Sequence, residues 1–471
     1  MKALIKHLKA TTASITLKAM GVTVGAAMIA ASFAASDVEA AGGSSRLSDE
    51  PTPYLDDELP QRTPPLIELG GDFLGNGNLD AGFELPTGAY WQPRLWVYGS
   101  MRTALQTFDG GDGERETEWA NRLDLFANLQ LTGTERLLIG VSPLRESGRF
   151  SGYSFEGADD NEWDNALNFD VTTLFFEGDF GEIFPNLDIN DSIGWDIGFS
   201  VGRQSVFFQE GMLLNDTIDA IGITQNSIRF PGVSNFRITG LWGWNELHRD
   251  NNQDDGSANL FALLTAIDLP HNTMDFDLVY VDSDDSSMIA GGISTTQRIG
   301  LVNTSFRVLG SIALDDENSD RADDGLLVFG EVSWAPFDGS DHAYVNGFWG
   351  IDNYSSPLRD PTAGGPLGRT GITFAARGLG RYGSPLSNRA DNAFGGAIGY
   401  QMFLGGIRKQ LTFEAGFRHD RDDDIGNSGA IAARYQQAFG TRTVLTVEAF
   451  GAAHEHMDEG SGLRTELQFK F

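Results

Sequence analysis

From about Leu95 onward the chain alternates apolar and polar residues with a period of two. Leu123, Leu125, Ala127, Leu129 and Leu131 interleave with Arg122, Asp124, Asn128 and Gln130. Phe306, Val308, Gly310, Ile312 and Leu314 alternate with Arg307, Ser311 and Asp315, and Leu326, Val328, Gly330, Val332 and Trp334 with Glu331 and Ser333. Leu411, Phe413, Ala415 and Phe417 are set against Thr412, Glu414 and Arg418, and Leu445, Val447 and Ala449 against Thr446 and Glu448. The last ten residues, Gly462–Phe471, repeat the pattern, with Leu463, Thr465, Leu467, Phe469 and Phe471 on one parity and Arg464, Glu466, Gln468 and Lys470 on the other. In an extended chain such a period puts the apolar row on one face and the charged row on the other. Each run spans about ten residues, the length a tilted strand needs to cross a bilayer. The pattern predicts an all-β fold: a transmembrane antiparallel up-and-down β-barrel whose apolar row meets lipid and whose polar row meets a watery lumen.

The connections alternate too. Short ones (Gly133–Glu135, Leu269–Thr273, Phe337–Asp341, Leu404–Lys409, Gly440–Arg442) take turns with longer, acidic ones (Asp109–Thr117, Arg145–Asn165, Asn245–Gly256, Asp282–Ser287, Asp315–Asp324, Asp420–Gly426, Ala452–Ser461). Barrels put short turns on the periplasmic side and long loops outside. The phase of this alternation predicts about 18 strands between Leu95 and Phe471, with both barrel ends in the periplasm. Two stretches are ambiguous: 168–180 fits either parity, and 286–303 is rich in Gly and Ser. Trp and Tyr gather near strand ends, as at Tyr90, Trp91, Trp119, Trp195, Trp242, Trp334 and Trp349, the places interfacial girdles occupy.

Composition adds a route to the membrane. Lys2, Lys6, Lys9 and Lys18 precede a small-residue apolar stretch ending at Val38-Glu39-Ala40, which reads as a signal peptide over 1–40. Residues 41–89 are rich in Pro, Asp, Glu and Gly and read as an irregular periplasmic N-terminal extension, leaving 90–471 for the barrel. The formal net charge of −33 repels nucleic acid. With no cysteine there are neither disulfides nor thiolate metal sites, nor any c-type haem attachment.

On the inward parity the pattern places Arg102, Arg122, Arg237, Arg307, Arg418, Arg434, Arg464 and Lys470 against Asp124, Glu331, Glu414, Glu448 and Glu466. Such charges serve either as a structural network of the wall or as a transverse field that selects ions. The longest connection, about Asp352 to Asp391, carries Arg359, Arg369, Arg377, Arg381 and Arg389. Folded inward, it becomes a candidate constriction loop, with Arg377 and Arg381 meeting the carboxylate or phosphate of a solute. Read as a solvated loop, it does nothing of the kind.

Gly202-Arg203-Gln204 closes the run 195–201 and is followed by Gly211-Met212-Leu213-Leu214-Asn215-Asp216 and Gln225-Asn226-Ser227. On these residues the chain resembles the alginate-export-type outer-membrane porins. The resemblance implies an eighteen-stranded monomeric barrel with an Arg-lined pore for anionic solutes, and points to Arg203 and Gln204. The near-balance of inward charge departs from the strongly basic pore of those exporters. Strict alternation puts Arg203 on the outward side with Val201 unless a bulge or strand end re-aims it.

Nothing in the chain points to catalysis, a cofactor or a resident metal. There is no Gly-x-Ser-x-Gly motif. His454 and His456 lie in one loop without a third ligand at fixed spacing, and Asp420–Gly426 imitates a calcium loop with its Gly one place late. The expected function is a porin for passive diffusion of small hydrophilic solutes, anions included. The alternative is a barrel serving as scaffold or sheath for a periplasmic partner, an export or electron-transfer complex, held through 41–89. Expected partners are outer-membrane lipid and lipopolysaccharide, and the barrel-assembly machinery, through the closing strand that ends in Phe471.

Overall fold

A computed structural model describes residues 62–74, 81–146, 148–156, 162–187, 196–315, 320–336, 339–421 and 426–471. The expected signal peptide, the first part of the extension, Trp195 and the acidic run 422–425 lie outside the described residues.

Among the described residues 18 strands form a closed antiparallel barrel. They are β1 (Arg94–Asp109), β2 (Arg115–Gln130), β3 (Arg136–Val141), β4 (Val171–Asp179), β5 (Ile197–Phe208) and β6 (Leu214–Phe230). Next come β7 (Val233–Asn245), β8 (Asn259–Asp268), β9 (Asn272–Asp282), β10 (Met288–Ile299), β11 (Val302–Ala313) and β12 (Gly325–Trp334). The last six are β13 (His342–Asp352), β14 (Ala393–Phe403), β15 (Lys409–Asp420), β16 (Asn427–Phe439), β17 (Thr443–His454) and β18 (Gly460–Lys470). Each pairs with its neighbours in sequence, and β18 closes on β1 from Ser461↔Asp109 to Lys470↔Ser100. Closure pairs each strand on both sides along the part that stays in the wall, the condition for a sheet to sit in lipid. Apart from the 180–196 connection, the turns at one end of the barrel are short, and the other end carries the longest connections.

Of the expected outward row, Ile312, Leu314, Val332, Phe413, Phe417, Leu463, Leu467 and Phe469 are exposed, whereas Leu131, just past the end of β2, is buried; on other strands Leu105, Ile223, Leu263, Leu278, Ile293, Val345, Ile398 and Ile431 are exposed as well. The ambiguous stretch 168–180 contains β4, whose register shifts between Val171 and Thr173. That bulge is why no single parity fitted it: Leu174 and Phe176 point out, and Glu177 points in to meet Arg136. The second ambiguous stretch is β10, regularly paired along its length.

Part of the N-terminal extension is docked. Ile67–Leu69 pairs with Leu95–Val97 of β1, below the point where β18 ends. Trp96 donates its indole N–H to Gly71 O (3.0 Å), and its ring meets the edge of Phe73 at 5.3 Å. Phe83–Glu84 pairs with Tyr90–Trp91 in a small separate ladder, so the wall begins at Arg94.

The lumen is not polar throughout. At the loop end the inward rows carry Leu309, Leu327, Phe329, Phe348 and Phe450, all buried. The connection 353–392 folds into the barrel and packs Tyr354, Leu367, Ile372, Phe374, Tyr382 and Leu386 against them. Each such side chain contributes roughly 1.5–3 kcal/mol by leaving water, enough together to hold a forty-residue connection inside.

Candidate functional site: a charged passage beside an inturned hairpin

The wall is complete except at one place. Pairing of β4 with β5 ends at Leu174↔Arg203, and pairing of β6 with β7 ends at Asp219↔Asn245, with a register shift between Asp219 and Ala220. Beyond these points β5 and β6 pair with each other, from Arg203↔Asp219 to Phe208↔Leu214. Their tip reaches across the lumen. Gln209 Nε2 donates to Asp277 on β9 (2.7 Å), Glu210 lies 3.7 Å from Arg307 on β11, and Tyr354 donates its hydroxyl to Met212 O (3.1 Å). Leu358–Arg359 of the long connection then adds a parallel strand at Leu214–Asn215. The Gly202-Arg203-Gln204 motif is therefore the hinge at which a hairpin leaves the wall and turns inward. Gly202 has φ +119°, and a Cβ there would lie 2.2 Å from Leu174 O, so only glycine fits.

No shift interrupts the β5–β6 register. Alternation therefore continues through Arg203, yet its outcome inverts. Val206, Ile218 and Ala220 pack against Leu241, Leu260, Leu264 and Val279 of the wall. Arg203, Phe207, Thr217 and Asp219 share the parity of lipid-facing Val201 and Ile223, but they line the space the hairpin encloses. The turning of the whole hairpin re-aims Arg203; no bulge in its own strand does so.

That space is a cavity of about 1270 Å³ between the hairpin and β2–β4; beside it, and sharing part of its lining, lies a smaller space, the passage, of about 300 Å³ against the long connection. Arg122, Arg145, Asp216 and Asp360 border both, and Arg369 and Arg377 border the passage. Arg122 pairs with Asp124 (2.9 Å), which also accepts from Ser142 Oγ (2.7 Å). Arg145 grips both oxygens of Asp360 (3.0 and 3.1 Å). Burial pushes the Asp360 carboxyl up, but Arg145 and the hydroxyl and N–H of Thr362 outweigh it and hold it below the usual carboxylate range. His248 receives the opposite treatment: burial lowers its pKa, but the adjoining Asp216 carboxylate raises it further, above the ordinary value. Arg203 is held by Asp219 (2.9 Å), Glu246 (3.1 Å) and Val171 O (3.1 Å). Arg369 differs from all of these. It is exposed, stacks 4.6 Å over the Phe207 ring, and has no carboxylate partner among the described residues.

Most of the other charges singled out from the sequence clasp the inturned connection. Glu448, fully buried, lies between Arg377 (2.6 Å) and Arg434. Arg464 and Arg102 share Glu466, and Arg102 also donates to Arg377 O (3.2 Å). Glu414 accepts from the Ile372 and Thr373 N–H groups (2.8 and 2.6 Å), the Thr373 hydroxyl (2.7 Å) and Tyr344. Arg418 pairs with Asp420 and donates to Ser387 O (3.2 Å), while Arg389 pairs with Asp250 (2.9 Å) and Arg381 with Glu116 (3.2 Å). Arg359 is buried against Gly365 O and Gly211 O, and burial lowers its pKa to about 10. Arg237 and Arg307 border a pocket of about 250 Å³ beneath the hairpin tip; Glu331 and Arg434 border one of about 370 Å³ nearer the turn end. Gln204 donates to Ala220 O (3.1 Å) within the hairpin.

Arg145, Asp216, His248 and Asp360 had no place in the sequence-derived set. Three lie in long connections, where alternation carries no information, and Asp216 lies on the face the hairpin inverts. Among the described residues no three metal-ligating side chains converge, and His454 Nδ1 lies 2.8 Å from Ser428 Oγ.

No protein-family model matches the chain. No curated protein matches it either. Solved structures do. A BenF-like porin from Pseudomonas fluorescens Pf-5 superposes with a TM-score of 0.55 at 12% identity, covering 80% of this chain and 98% of that one. Pseudomonas aeruginosa OccK9 (OpdG) gives 0.52 at 12% identity, again covering 80% and 98%. Pseudomonas aeruginosa OpdK, solved with vanillate, gives 0.50 at 12% identity with the same coverage. At such identity the likeness shows the fold, a porin-type barrel, and does not single out the alginate-export-type family.

Proposed function

We propose that this barrel is an outer-membrane channel for passive diffusion of small hydrophilic anions, its short turns in the periplasm and its long connections outside. One observation carries the charge preference. In the passage, Arg122, Arg145 and Arg377 are each matched by a carboxylate, whereas Arg369 is not. A guanidinium without a partner, at a narrow place walled by protein, is an attractive site for a passing carboxylate, and its planar fork suits that group. The wide cavity beside it is bordered by more acids than bases, so selection falls to the passage. The porin-type neighbours support a channel, and the vanillate in one of them supports a small carboxylate as solute. The hinge motif Gly202-Arg203-Gln204 supports a distant tie to the alginate-export-type porins. The closing strand β18, ending in an aromatic row, suits recognition by the barrel-assembly machinery, and the docked 62–74 segment offers a surface to a periplasmic partner.

The test is electrical. Purified protein inserted in a planar bilayer under a potassium chloride gradient should conduct in discrete steps, with a reversal potential on the anion side. A barrel that inserts but carries no current would overturn the proposal.

A further inference from the structure

We infer that the wall has a lateral portal at the hinge of the inturned hairpin, through which an amphipathic carboxylate can leave the passage sideways into the outer leaflet. The inference rests on the channel reading above and extends it to a class of solute and a second exit.

Along β5, Arg203 lies six positions above Ile197, roughly 20 Å of strand. The β4–β5 pairing runs only from Asp179↔Gly198 to Leu174↔Arg203, shorter than the roughly 9–11 residues a tilted strand needs to cross the bilayer, whereas the β6–β7 pairing continues from Asp219 down to Phe230. Above this level β5 has no strand on its β4 side among the described residues, and on its β7 side β6 has only the two-residue strand Leu358–Arg359, at Leu214–Asn215. The neighbouring wall does not fill the gap: the strand Arg149–Glu156 pairs with β2 at Thr117–Asn121, and beyond it lies only Glu162–Asp164. A wall interrupted at outer-leaflet depth exposes backbone groups to hydrocarbon unless water reaches them, and the hairpin that left the wall opens such a route.

The wide cavity is bordered on one side by lumen residues Arg122, Arg145 and Asp360, and on the other by Val171 and Leu174 at the margin of the wall. Leu174 belongs to the lipid-facing row, so the cavity passes through the wall rather than ending at it. Outside, the margin is apolar: Trp163, Leu167 and Phe169 are exposed, Phe169 at 76%. Inside, it is charged. An aqueous pore needs no such gradient, whereas a molecule with a carboxylate head and an acyl or aryl body fits both halves.

Arg203 is the latch. It donates across the gap to Val171 O while Asp219 and Glu246 hold it from the hairpin side, so one side chain ties the two margins together. Latch and portal share the hinge glycine, Gly202.

The test uses the full-length, cysteine-free chain with Thr172→Cys and Ser205→Cys, which continue the Leu174↔Arg203 register across the gap. They are bridged by a disulfide or a short bis-methanethiosulfonate, and the bridge is verified by mass spectrometry. Uptake of radiolabelled octanoate and of lactate is measured in cells expressing this protein as their channel, before and after reduction. The expected result is an octanoate rate at least tenfold lower in the bridged form, restored by reductant, with lactate unchanged. Arg203→Gln, which removes the latch, should raise octanoate uptake several-fold. If bridging leaves octanoate untouched, or slows both solutes alike, the portal is wrong. The unbridged protein's bilayer conductance reads the channel proposal separately, so failure of one is distinguishable from failure of the other.

Discussion

The clasp around Glu448 and the passage around Arg369 are both built of guanidinium and carboxylate groups on or beside inward strand faces, and they do different work. In the clasp every charge is matched and its centre is dry: the Glu448 side chain is 0% exposed and that of Arg377 4%. In the passage the pairs are part-exposed and one guanidinium is left over. Parity tells which way a side chain points, not whether its charge is available. Availability depends on what else enters the lumen. On the β12–β18 side the connection 353–392 fills the space and uses up the wall's charges; between β2 and β7 the inturned hairpin holds the space open.

The comparison breaks most completely at Glu448. Glu448→Ala strands Arg377 and Arg434 in a buried site, a change that typically costs about 3–5 kcal/mol. The connection should undock, giving a higher and noisier single-channel conductance and rapid proteolytic cleavage within 353–392, while the barrel itself survives. A quiet, wild-type conductance would mean that the clasp does not hold the connection. Arg369→Ser is the converse experiment. Folding and protease resistance should stay as they are, but the reversal potential should move toward zero, because the unmatched charge has gone. Equal reversal potentials would show that selection lies elsewhere.

A smaller effect is expected from pH. Burial, reinforced by Asp250, pushes Asp391 up to about 6, against Arg389 and Arg418 nearby. In the undocked chain it titrates near 3.9. The docked form therefore binds the proton more tightly, and docking is strongest below about pH 4, weakens as pH rises toward about 6, and is level above that. Protease protection of 353–392 should fall between about pH 4 and 6 and stay level above, and Asp391→Asn should flatten the profile. Smallest is Gln209→Ala, which removes the hairpin tip's hydrogen bond to Asp277 and should cost about 1 kcal/mol. It is read as faster flicker of the open channel with unchanged selectivity.

How far the molecule could be read from its sequence follows the same division. The runs at Leu123–Leu131, Phe306–Leu314 and Gly462–Phe471 are strands with the expected faces, and the alternating connections marked the two ends of the barrel. The bulge between Val171 and Thr173 defeated parity at β4 because an inserted residue exchanges the faces on its two sides. Leu309, Leu327 and Phe329 were legible as strand residues but not as the seat of a packed connection. Arg145 and Asp360, 215 positions apart and both in loops outside any periodic pattern, carried no signal that joined them.

A period of two is a local property of the extended backbone, so the sequence alone determined the fold class, the strand faces and which connections are long. Closure of the lumen around an inturned hairpin and an inturned loop depends on contacts between distant segments. Those contacts, decided only in the tertiary structure, converted some inward charges into a dry clasp, left Arg369 unmatched, and turned the outward face of Arg203 toward water.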